Sequence, residues 1–127
     1  MENSILKSVK KIVGVPDNYD VFDLDIITHI NSAFSVLYQI GAGPIEGFFI
    51  EDESAKWDDF SEDPALNLVR SYVFLKVRML FDPPITSFLQ DAMKKQMDEM
   101  EWRISIHREW NLNPIDPMEE VLISDDR

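Results

Sequence analysis

Residues 23–40 read DLDIITHINSAFSVLYQI, and their spacing decides the fold class. Ile26, Ile30, Ala33, Leu37 and Ile40 recur at intervals of four, three, four and three, the repeat of one helical face. Ile27, Phe34 and Tyr38 widen that stripe. Asp23 or Asp25 supplies an N-terminal cap, and Gly41 followed by Gly43-Pro44 supplies the stop. A segment of this length with an apolar stripe and no strand alternation predicts an α-helix that needs further helices to cover it.

Those helices follow on either side. Residues 3–13 place Ile5, Val9, Ile12 and Val13 on one side and Lys7, Lys10 and Lys11 elsewhere, ending at Gly14 and Pro16. The lysines lie in the last half, where cations favour the helix dipole. Asp63-Pro64 predicts another start, with Asp at the cap and Pro at the first helical position. From there Leu66, Val69, Val73, Val77 and Leu80 form a stripe, and Tyr72, Phe74, Leu75, Met79 and Phe81 leave little polar surface; this should be the most buried helix. Asp82-Pro83-Pro84 ends it.

The last helix opens at Thr86 or Ser87, where Ser87 and Gln90 fit a capping box. It carries two apolar faces: Met93, Met97, Met100 and Ile104 on one, and Trp102, Ile106 and Trp110 on the other. Either one face packs inward and the other meets a partner, or both are buried within the chain.

Residues 41–62 break the helical pattern. Gly47-Phe48-Phe49-Ile50 has strand character, Glu51-Asp52-Glu53-Ser54 is a polar turn, and Lys56-Trp57-Asp58-Asp59-Phe60 mixes aromatic and acid. A two-stranded hairpin and a strand followed by one helical turn both fit, and a protruding loop with some β content is expected. Connections this long tend to be functional or disordered, and Phe48, Phe49, Trp57 and Phe60 argue against disorder. The expected architecture is mainly α: a four-helix domain over residues 1–110 with a long central loop, then an acidic tail over 111–127, flexible alone or ordered by a partner.

The 127 residues suit one domain, and 45% hydrophobic content suffices for a core. With no cysteine, disulfide and thiolate chemistry are excluded, and the composition suits a reducing compartment. No apolar run approaches the roughly 18 residues of a membrane span, and Met1-Glu2-Asn3-Ser4 leads into an amphipathic stretch instead of a signal peptide. The net charge of −12 is unevenly distributed: residues 23–62 hold nine acids and one base and residues 111–127 five acids and one base, while 1–22 and 63–110 are balanced. Such a surface repels phosphates, so ordinary nucleic-acid binding is disfavoured, and acidic loops also serve solubility.

The residues that carry chemistry elsewhere form no recognisable set here. His29, with Asp25 at i−4, and His107, near Arg103, read as structural histidines. Glu51, Asp52, Glu53, Asp58 and Asp59 lack the alternating acids and central glycine of a calcium loop. Phosphate-cradling glycine motifs, nucleophile elbows and zinc motifs are missing. No enzyme activity, cofactor or metal is expected, and function is expected to reside in surfaces: the Phe48–Phe60 loop, the second face of the last helix, and the tail.

One pattern is more specific. The N-terminal helix, the Asp-Xaa-Asp-Ile-Ile-Thr-His-Ile-Asn-Ser helix, the Gly-Phe-Phe-Ile-Glu-Asp loop with Trp57, and above all Ser71 to Pro84 (SYVFLKVRMLFDPP) resemble the head–tail connector (adaptor) proteins of long-tailed bacteriophages, over roughly residues 3–107. The resemblance implies a small helical virion protein without catalysis or cofactor, made in the host cytoplasm and placed at the head–tail junction. It implies a ring, usually twelvefold, beneath the portal protein, contact with a tail-side connector or stopper protein, and a channel through which DNA passes without specific binding. On this view Phe48, Phe49, Ile50, Trp57, Phe60, Trp102, Ile106 and Trp110 are expected to make protein contacts, with strand addition at Phe48-Phe49-Ile50 as one mode. Glu51, Asp52, Glu53, Asp58 and Asp59 are candidates for the channel lining. The alternative is an acidic DNA mimic that occupies a nucleic-acid-binding enzyme. The balance of residues 63–110 counts against it, and salt-sensitive binding to a basic enzyme would favour it.

Overall fold

The computed structural model describes residues 3–61 and 66–112, the side chains of 66 and 107–112 excepted. The Asp63-Pro64 helix start, the side chains of His107 and Trp110, and the tail beyond residue 112 lie outside the described residues. The described residues form five helices: α1 (Ile5–Val13), α2 (Asp23–Gln39), α3 (Trp57–Phe60), α4 (Leu66–Phe81) and α5 (Ser87–Leu112). Helix α4 is central, packing against α1, α2 and α5. The Phe22 ring meets Phe81 edge-on at 5.4 Å, so the start of α2 lies beside the end of α4 and the two run antiparallel. Tyr72 in mid-α4 reaches Glu101 in α5, which makes that pair antiparallel as well.

The local signals explain the boundaries. Ser4 caps α1 by accepting from the Lys7 amide, and Gly14 closes it at φ 83°, with amides of Gly14 and Val15 returning to the carbonyls of Lys11 and Lys10. Val15 is buried beside that turn. Helix α2 differs from expectation: Asp23 lies inside the helix and does not cap it, because its carboxylate pairs with Lys10 at 2.8 Å. At α5 the cap is Thr86, whose Oγ1 accepts from the Leu89 amide. The Ser87–Gln90 box does not form, since the Gln90 side-chain Nε2 donates to the Pro84 carbonyl instead.

The core follows the predicted stripes with local exceptions. Ile26, Ile30, Ala33, Phe34 and Leu37 of α2 meet Val69, Tyr72, Val73 and Val77 of α4 and Ile5, Leu6 and Val9 of α1. Ile12, Tyr38 and Leu80, placed on stripes by their spacing, are exposed, and Lys10 is buried. Each of these sits in the last turn or so of its helix, and Lys10 is drawn in by Asp23 and the Asp17 carbonyl.

The central loop holds no strand among the described residues. Residues 47–50 have no regular structure, residues 51–54 turn, and Trp57–Phe60 make one helical turn. A single antiparallel bridge joins Ser4 to Lys56, flanked by bonds from the Ile5 amide to the Ala55 carbonyl and from the Trp57 amide to the Asn3 carbonyl. The loop therefore does not protrude. Trp57 and Phe60 are drawn into the core with Phe48 packed on it, and the apolar area they bury outweighs what a two-stranded hairpin standing alone in water would gain.

Candidate functional site

The surfaces expected to make contacts separate into buried and exposed sets. In the loop, Ile50, Trp57 and Phe60 are buried. Phe48 is half-buried and packs edge-on against Phe34 at 4.9 Å and Phe60 at 5.4 Å. Phe60 leans on Gly43, where an added Cβ would sit 2.5 Å from its ring. The Trp57 indole N–H donates to Ser8 Oγ at 2.9 Å, its ring meets Phe74, and the Arg70 guanidinium lies 5.3 Å from its centroid. These side chains are occupied within the subunit, so of the loop aromatics Phe49 is left as the exposed one.

The backbone of Ile50 is occupied too. Asn31 of α2 donates its amide to the Ile50 carbonyl at 2.9 Å and accepts from the Ile50 amide at 2.7 Å. A side chain thus supplies the pairing that a neighbouring strand would have given. Strand addition has no free ladder position at Ile50.

The last helix is two-faced. Met97 and Ile104 are buried and Met93 and Met100 half-buried, facing α4. On the opposite side Trp102 is 64% exposed and Ile106 42% exposed. Of the two readings of this helix, the outward one is observed for these two residues within the subunit. Trp110 has no described side chain.

The acids gather at one place, the N-terminus of α1. Glu51, Asp52, Glu53, Asp58 and Asp59 are all exposed. Glu53 faces Lys7 at 3.9 Å, and its carbonyl accepts from Ser4 Oγ. Asp58 accepts from the Asn3 amide at 3.3 Å. Asp59 caps α3 through the Lys56 amide at 2.9 Å. Asp52 accepts from the hydroxyl and the amide of Ser54, which hold its carboxyl below the ordinary aspartate range, the hydroxyl more than the amide. Carboxylates beside a helix N-terminus are favoured by the backbone dipole, so structural roles account for much of this cluster.

Among the described residues the histidine and carboxylate side chains form no other cluster. His29 is half-buried with its ring against Phe81. No group of three or more His, Cys, Asp or Glu able to hold a metal occurs among the described residues, and no described helix is long and apolar enough to cross a membrane. An open cleft of about 550 Å³ lies between residues 38–45 and Ser105, and Tyr38 is the titratable group in its lining. Sequence reasoning missed this cleft and the exposed apolar side chains at the opposite end of the molecule. Gly41 and Gly43 are the signal for the former, since both take positive φ to bend the chain around it.

The arrangement is a small helical domain with Asp52, Glu53, Asp58 and Asp59 engaged locally and an apolar helix face turned outward. The comparison with known families names the class further: a model described as phage connector protein matches residues 5–111, and the chain belongs to that family. Its role is structural, as a head–tail connector component of the virion. No curated protein and no solved structure matches it.

Proposed function

We propose that the protein forms a closed ring beneath the portal, twelvefold like the portal, joins it to a tail-side connector or stopper protein, and continues the DNA channel. Residues 1–110 are the connector domain, and residues 111–127 an acidic segment with five acids and one base. Assembly takes place in the host cytoplasm and ends at the head–tail junction. The observation that carries this reading is the split of α5, with Met97 and Ile104 against α4 and Trp102 and Ile106 facing out. A closed ring needs two different patches per subunit, and an outward apolar helix face supplies one. Glu51, Asp52, Glu53, Asp58 and Asp59 face solvent together, and carboxylates in a channel wall would repel DNA phosphates and let the duplex slide.

Mass determination of the protein alone and with purified portal rings tests the proposal. The expected result is a complex whose mass matches one closed ring of this protein per portal ring. Absence of any portal-bound or self-associated species would reject it. The DNA-mimic reading is less favoured, because residues 63–110 are balanced in charge and the family match is to a connector.

A further inference from the structure

We draw no further inference here: the strongest candidate, the open cleft between residues 38–45 at the end of α2 and Ser105 of α5, carries none because nothing in the structure shows what covers it.

Discussion

The side-chain amide of Asn31 and the backbone of Ile50 form a reciprocal pair, one bond donated at 2.9 Å and one accepted at 2.7 Å. This pair fixes Ile50 against α2 beside the packed rings of Phe48 and Phe60. Asn31→Ala would leave a buried residue with two unpaired backbone groups. We expect a loss of about 1–3 kcal/mol in denaturant unfolding, with helix content retained. A change within about 0.5 kcal/mol would mean that water replaces the amide at no cost.

A second tie joins the loop to α1, through the Trp57 indole and Ser8 Oγ at 2.9 Å; the Ser8 hydroxyl in turn donates to the Ile5 carbonyl. Trp57→Ala should cost about 3–5 kcal/mol through cavity formation and lose the fold at modest denaturant. Trp57→Phe keeps most of the volume and should cost about 1–2 kcal/mol, much of it the hydrogen bond. A double-mutant cycle with Ser8→Ala measures that bond directly, and a coupling near zero would assign the whole effect to packing.

The different fates of the loop aromatics show what was legible in the sequence. Helix periodicity identified the faces of α2, α4 and α5 because a repeat of three to four residues is written in the chain itself. Trp57 and Phe48 have no such repeat around them. Their burial depends on residues far away in sequence, Ser8, Phe34 and Phe74, which the chain brings together only once folded. Likewise Asn31 carries no local mark that its amide will replace a strand. The family was legible from whole segments such as Ser71–Pro84, whereas the exposed set Val21, Leu24 and Phe88 was not. Single apolar residues at helix connections are read as core until a structure shows that nothing covers them.

Lys10 and Asp23 make the buried ion pair among the described residues, with Lys10 side-chain exposure of 3% and Asp23 of 30%. Lys10→Met removes a charge and keeps the stem, but strands the Asp23 carboxylate; a cost of about 1–3 kcal/mol is expected, moderated by the partial exposure of Asp23. The double replacement Lys10→Met with Asp23→Asn should recover part of that loss. A thermal melt of Lys10→Met, Asp23→Asn and the double variant decides it, and a double variant that loses more stability than the two singles together would contradict the pairing.

The Tyr72 hydroxyl donates to Glu101 at 3.1 Å. Burial, reinforced by the negative charges of Glu101 and Asp98, pushes its ionisation well above the ordinary tyrosine value. In the unfolded chain Tyr72 ionises near about 10. The folded state therefore holds its proton to higher pH; this contribution to stability is fully present below about pH 10 and is lost as pH rises from there toward the folded-state ionisation. Tyr72→Phe should flatten that alkaline decline while costing about 1–2 kcal/mol at neutral pH. Unfolding free energies measured across about pH 8–11 separate the two effects, and identical slopes for both proteins would remove Tyr72 as the cause.

Trp102 and Ile104 sit two residues apart on α5 and face opposite ways, which allows assembly to be separated from folding. Ile104→Ala opens space against α4 and should lower monomer stability by about 2–4 kcal/mol. Trp102→Ala with Ile106→Ala removes exposed surface and should change monomer stability by less than about 1 kcal/mol. If the outward face joins neighbouring subunits, that same pair should abolish the ring, because loss of an aromatic anchor at an interface costs about 2 kcal/mol or more at every repeated contact around it. Sedimentation of the variants with and without portal gives the answer. A double variant that assembles normally would free α5 from the subunit interface and shift the search for it to Phe49 and the cleft beside Ser105.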